Sequence, residues 1–241
     1  MRRSGLQRWV GQALGEVFVA RWPVLDQPNP PAWPDAAYCS RCGVTLGPGQ
    51  RNDPPCPACV KQSIAWDAVV RLTEYNDTIE PWLAAMKFAR RWRFGPWFGK
   101  QLGRAILERH TQADDSTPII CPVPLALWRR WHRGFNQARL IADGIAEVTG
   151  WPVVELLKRT RGGFPQTTVP HTQRAANVRD AFAARRRCDA AGCAVWLVDD
   201  VKTTGATANR CAKLLRAAGA TRVNLAVTAV ARTEGKDFSK I

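Results

Sequence analysis

The run Ala194-Val-Trp-Leu-Val-Asp-Asp-Val-Lys-Thr-Thr-Gly-Ala-Thr207 constrains this chain more than any other part of it. Ala194 to Val198 is a short, continuous apolar segment, as expected of a strand buried on both faces of a parallel sheet. Two acids and a group of small hydroxyl residues follow, and they lead into a helix predicted over Thr207 to Ala218 and ended by Gly219. In open α/β sheets ligands lie outside the carboxyl ends of the strands, which is where these residues fall. Thr203, Thr204, Gly205, Ala206 and Thr207 offer consecutive backbone N–H groups and hydroxyls at a helix N-terminus, a cradle for a phosphate dianion. Gly205 lets the backbone approach closely. Asp199 and Asp200 would repel that phosphate, so they read as acceptors for a polyol such as the 2′ and 3′ hydroxyls of a ribose. Phosphate and ribose then belong to one ligand. The competing reading is an ordinary turn in which Thr203 or Thr204 caps the helix. It accounts for one hydroxyl and for neither the acid pair nor the Gly-Ala step. The Gly-x-x-x-x-Gly-Lys-[Ser/Thr] loop is absent, and Gly-x-Gly-x-x-Gly does not occur at this turn.

Strands and helices alternate through the preceding sequence. A strand is predicted over Asp67 to Leu72, and Ile79, Trp82, Leu83 and Met86 mark one face of a helix. In the run from Lys87 to Trp97 cations alternate with aromatics. It reads either as a helix end with buried aromatics and solvated arginines or as a surface that stacks bases while binding phosphates. Ile119 to Val123 is a second buried strand, followed by a helix over Asn136 to Val148 and a strand over Val153 to Leu157. Arg159 to Ala181 has no clean period and reads as a long loop, and Val223 to Val230 supplies a further strand. The pattern predicts a mostly parallel sheet covered by helices on both faces.

Four of the eight cysteines form two knuckles, Cys39-Ser-Arg-Cys42 and Cys56-Pro-Ala-Cys59. Each knuckle offers two sulfurs from one tight turn, the arrangement that tetrahedral Zn²⁺ requires, and four thiolates leave no open position for catalysis. A structural zinc ribbon over 35–63 is expected; redox dithiols or a disulfide pair are the alternatives. Residues 1–34 read as a short amphipathic helix, with Leu6, Val10, Ala13, Val17 and Phe18 on one stripe, and a proline-rich connector from Leu25 to Pro34. Residues 64–241 form the α/β domain.

The 241 residues carry 35 Lys+Arg against 20 Asp+Glu, a formal charge of +15. That excess predicts anionic partners, with nucleic acid, acidic lipid and phosphorylated metabolites all compatible. No apolar run approaches the roughly 20 residues a spanning helix needs. Arg8, Glu16 and Arg21 interrupt any signal-peptide core, so a cytoplasmic location is expected.

Val198 to Thr207 resembles the 5-phosphoribosyl-1-pyrophosphate (PRPP) motif of type I phosphoribosyltransferases. The likeness extends through Pro122-Val-Pro124, Arg133-Gly-Phe-Asn-Gln-Ala138, Gln166, Arg174, Asn177, Phe182 and Ala229-Val-Ala-Arg232. With the four-cysteine ribbon, this order is similar to that of the competence protein F (ComF) family, whose members include DNA-uptake proteins and gluconate-utilisation proteins. The resemblance implies a type I phosphoribosyltransferase-like (Rossmann-like) fold that binds PRPP with Mg²⁺. It gives the ribose to Asp199 and Asp200, and the 5′-phosphate to Thr203, Thr204, Gly205, Ala206 and Thr207. Arg129, Arg130 and Arg133, in the loop after the strand at Ile119, would meet the pyrophosphate, Arg133 foremost. The loop Arg159 to Asp180, with Gln166, Arg174 and Asn177, would close over substrate. His132 reads as a bystander.

The reaction so implied is displacement of pyrophosphate from the ribose C1 by a nitrogen nucleophile, helped by electrostatic stabilisation of the leaving group. No general base and no nucleobase pocket can be read from the residues. The alternative is a module that senses PRPP or nucleotide without turnover and contacts single-stranded DNA or a helicase-type competence protein through its basic face. A zinc-dependent transcription factor fits poorly, because the ribbon lacks a recognition helix.

Overall fold

A computed structural model describes residues 36–50, 55–60, 62–88, 91–109, 117–125, 134–160, 181–186 and 189–231. The expected N-terminal helix and connector lie outside these residues. A one-turn helix, α1 (Pro57–Val60), precedes β1 (Val69–Glu74), α2 (Glu80–Phe88), α3 (Phe94–Arg109) and β2 (Ile119–Pro122). Then come α4 (Gln137–Thr149), β3 (Leu157–Arg159), β4 (Phe182–Ala184), β5 (Ala194–Lys202), α5 (Ala206–Ala217) and β6 (Arg222–Val230).

β1, β6, β5 and β2 pair in that order, all parallel, so β5 and β6 are central and buried on both faces. Side chains alternate across the sheet. Val195, Leu197, Val223, Leu225 and Val227 pack with Ala208, Cys211, Ala212 and Leu215 of α5. Trp196, Val198, Ala226 and Ala229 turn the other way, onto α2, α3 and α4. This doubly covered parallel sheet is the architecture the resemblance implies.

Helix α3 was not legible in the sequence, because Gly95, Pro96, Gly99 and Gly103 lower its intrinsic helix propensity. Those glycines serve packing. A Cβ on Gly99 would stand 2.1 Å from the Ile141 carbonyl oxygen, and one on Gly144 of α4 would stand 2.2 Å from that of Pro96. The two helices therefore cross nearly backbone to backbone. Asn136 caps α4, its Oδ1 accepting from the Ala138 N–H and its Nδ2 donating to the Val123 carbonyl, and this ties the helix start to the end of β2. Gly150 ends the helix at φ 73°.

Two expectations need correction. In place of a strand over Val153 to Leu157, Val153 makes a single bridge to Ile120, and the strand proper begins at Leu157. It pairs antiparallel with β4, from the far side of the loop, in a separate two-stranded unit. Strand β5 also continues past Val198 through the acid pair to Lys202, because Val201 and Lys202 still pair with Ala229 and Val230.

Candidate functional site

At the C-terminal end of the sheet a cavity of about 200 Å³ is lined by Asp199, Asp200, Thr203 and Thr207 from the β5–α5 junction, Asn136 and Gln137 at the start of α4, Lys87, Arg159 and Phe182. A smaller recess beside it is formed by Thr203 to Ala208 with Lys202 and Val227.

The junction owes its shape to Gly205. This residue is the N-cap of α5 at φ 77°, a conformation that disfavours any side chain, and it makes no side-chain cap bond. Thr204 Oγ1 accepts from the Ala206 N–H at 3.3 Å within the turn. Capping by Thr203 or Thr204 is therefore replaced by a left-handed glycine, which leaves the first turn of α5 facing the recess.

The acids divide between the two faces of β5. Asp200 reaches the ammonium of Lys87, at the end of α2, at 2.8 Å. Burial would raise its carboxyl, but the Lys87 charge overrides that and holds it below the ordinary carboxylate range. Asp199 has no such partner among the described residues: burial, reinforced by the Asp200 charge, pushes its carboxyl well above that range. Lys87 compensates Asp200, which lessens the repulsion that two carboxylates would direct at an incoming phosphate. The Asp199 Oδ1 accepts from the Asp200 N–H at 2.9 Å.

Lys87 belongs to the cation-aromatic run, which the structure splits. Phe94 and Phe98 are buried, Lys87 is buried against Asp200, and Phe88 and Trp92 are exposed. Gln137 is 3 % exposed, and its side-chain amide nitrogen finds no hydrogen-bond partner among the described residues although it lies at the cavity. An orphaned buried donor is costly without a ligand or water to accept from it. The Arg159 guanidinium lies over the Phe182 ring at 5.0 Å, so the β3–β4 pair forms one wall. Arg129, Arg130, Arg133, Gln166, Arg174 and Asn177 fall outside the described residues.

The four knuckle cysteines are buried, and their sulfurs lie within 4.8 Å of one another. The Cys39–Cys59, Cys42–Cys56 and Cys56–Cys59 separations are 3.6, 3.5 and 3.7 Å. A tetrahedral zinc thiolate with bonds of about 2.3 Å has edges of about 3.8 Å, so the cluster fits that ion with little adjustment. Burial opposes ionisation of Cys39, yet the N–H groups of Cys42 and Arg41 bring its thiol down to about 7. This module covers the outer edge of β1: the Val69 N–H donates to the Ser40 carbonyl, and Arg71 bonds Thr45, which in turn donates to Glu74.

No family model matches the chain. Competence protein F of Haemophilus influenzae (strain ATCC 51907 / DSM 11121 / KW20 / Rd) is 30% identical over 195 residues, covering 78% of this chain and 82% of that protein. The chain belongs to the competence protein F family. DNA utilization protein YhgH of Escherichia coli (strain K12) is 30% identical over 194 residues, 79% of this chain and 83% of the relative. Among solved structures, a glutamine phosphoribosylpyrophosphate amidotransferase from B. subtilis is 27% identical with a TM-score of 0.38, covering 55% of this chain and 25% of that one. Within this ComF-family chain, Lys87 and Gln137 are cavity residues to which sequence reading assigned no part in the site, and Arg159 is the first residue of the loop expected to close over substrate. Gln137 stood in the quoted Arg-Gly-Phe-Asn-Gln motif, and the orphaned amide is the signal that marks it.

Among the described residues no helix is long and apolar enough to cross a membrane.

Proposed function

We propose that this chain binds PRPP through the β5–α5 junction and acts in DNA uptake or nucleotide salvage as a phosphoribosyltransferase-like protein. The observation that carries the reading is the position of Asp199 and Asp200 between two recesses at the end of a central strand, next to a left-handed glycine that opens a helix. In this reading the ribose diol bonds the acid pair and the 5′-phosphate takes the N–H groups at the start of α5. The diphosphate faces Gln137, Lys87 and the loop bearing Arg129, Arg130 and Arg133. Mg²⁺ enters with the diphosphate oxygens, the hard ligands it prefers, and Zn²⁺ is held by Cys39, Cys42, Cys56 and Cys59. The relatives' names, competence and DNA utilization, support the cellular role.

Titration calorimetry with PRPP and Mg²⁺ tests the site. Saturable binding is expected, with loss of at least tenfold in affinity in Asp199→Asn/Asp200→Asn; no binding to the native chain would sink the assignment. Pyrophosphate release across a panel of nucleobases then separates transfer from sensing.

A second reading is favoured by exposed Phe88 and Trp92 within the cation-aromatic run. In it the chain senses PRPP without turnover and stacks single-stranded DNA there, beside a helicase-type partner. Steeply salt-dependent DNA binding, weakened in Arg91→Ala/Arg93→Ala, supports it.

A further inference from the structure

Residues 64–69 run between the cysteine module and the phosphate-side loop and touch both. Trp66 is 2% exposed. Its indole N–H donates to the Arg41 carbonyl at 2.7 Å, and Arg41 lies inside the Cys39–Cys42 knuckle, so an ion that fixes the two sulfurs also fixes that acceptor. The far edge of the same indole lies against Gly205: a Cβ there would stand 3.0 Å from Trp66 Cη2, and 3.3 Å from Lys202 Cε. Next to it, the Ala65 N–H donates to Asn209 Oδ1 at 2.7 Å, on the first turn of α5. Two neighbouring residues thus hold the left-handed glycine and the helix start from one side and the metal knuckle from the other.

Charge follows the same route. Lys202, which immediately precedes the loop, is 5% exposed. Burial lowers its proton affinity, and the thiolates of Cys42, Cys59 and Cys39 oppose that loss. Arg71, also buried, feels Cys42 in the same sense. Once the ion is lost and the sulfurs are protonated, Lys202 is left buried without that compensation, an unfavourable state, while Arg71 keeps Glu74 and Tyr38.

We infer that Trp66 is a positioning residue that ties the loop 203–207 to the four-cysteine module, so that metal occupancy and the order of the phosphate-side loop are linked. Such linkage is reciprocal, and typical couplings change affinity about 5- to 150-fold. The inference rests on the proposed ligand site only in its ligand arm.

Hydrogen exchange on the full-length, reduced chain tests it. Chelating the metal is expected to speed amide exchange in a peptide spanning 203–209 by about tenfold, while peptides from α3 and α4 stay unchanged. Trp66→Phe keeps an apolar ring at this position but loses both the indole donor and the far edge that meets Gly205. It should retain a four-thiolate Co²⁺ absorption spectrum and yet show the fast loop exchange of the stripped protein. A metal-bound Trp66→Phe with native loop exchange would overturn the inference, as would equal acceleration throughout the stripped chain. In the ligand arm, PRPP with Mg²⁺ should slow metal release to a chelator in the native chain and not in Trp66→Phe. If release is unaffected while the exchange result holds, the PRPP reading fails and the Trp66 linkage stands.

Discussion

Replacing Lys87 by Met removes a buried charge while keeping a side chain of similar length, and the structure fixes what should follow. The Lys87 and Asp200 side chains are 6% and 16% exposed and meet at 2.8 Å. Removing one partner of such a pair costs about 3–5 kcal/mol, since the other charge is left unpaired in the interior. In the native chain the folded-state pKa of Asp200 is depressed. Its contribution is therefore complete above the unfolded carboxylate value of about 3.9 and is lost only as pH falls through the folded value. Between pH 8 and 5 the native pair is constant. In Lys87→Met the chief lowering influence is gone, and burial drives the Asp200 carboxyl upward against the weaker lowering by its hydrogen bonds to Asp199 and the Val201 N–H. The folded variant then binds a proton that the unfolded chain does not. Its deficit shrinks by about 1.4 kcal/mol for each unit of pH lowered below the new pKa, down to a packing difference below about 1.5 kcal/mol. Among the described residues, Asp199 and Tyr75 also interact with Asp200. Urea unfolding at pH 8, 6 and 5 reads the effect directly. With a slope of about 3 kcal/mol per molar, the midpoint should fall by about 1 M at pH 8 and recover toward pH 5. Lys87→Met/Asp200→Asn should regain most of the loss at pH 8. A pH-independent deficit, or no recovery in the double variant, would refute the electrostatic account.

Gly99→Ala should gain about 1 kcal/mol in helix propensity but lose more to overpacking, about 3 kcal/mol, because its methyl would strike the Ile141 carbonyl; a net drop in unfolding free energy near 2 kcal/mol is the expected reading. Gln137→Leu deletes the orphaned amide, so thermal stability should stay level or rise while PRPP affinity falls about tenfold; equal losses of both would point to a purely structural residue. Gly205→Ala should cost about 1–2 kcal/mol from its left-handed backbone alone, and its calorimetric PRPP affinity should fall further than that of Ala208→Gly in the same helix.

What the sequence made legible were features written in contiguous residues. The apolar run into Asp199, the change to small residues at Thr203 and each of the two knuckles declare themselves within a dozen positions. Asn136 emerged as the α4 cap, a reading open from its place before an amphipathic stretch. Features that needed two distant segments were hidden. The glycines of α3 argue against a helix until Gly144 is placed opposite them. The pairing of Leu157–Arg159 with Phe182–Ala184 spans a loop with no period of its own, so local pattern could not find it. Lys87 sits among arginines and aromatics, and nothing near it shows that its partner is Asp200. The compensation of Asp200 by a buried lysine was hidden for the same reason. Trp66 has no motif at all, and its part is visible only in its two contacts.

The order β1-β6-β5-β2 has a consequence for synthesis on the ribosome. Among the described strands β1 pairs only with β6, with Val69 opposite Leu225. The edge strand and the cysteine module docked on it emerge early, but the strand that joins them to the rest arrives only after α5 is complete. Until then β1 presents an unpaired inner edge, and long-range parallel pairing of this kind forms slowly. The cysteine module, which needs only its own knuckles and an ion, can finish first and shield the opposite edge of β1 from intermolecular pairing while the chain waits for its centre.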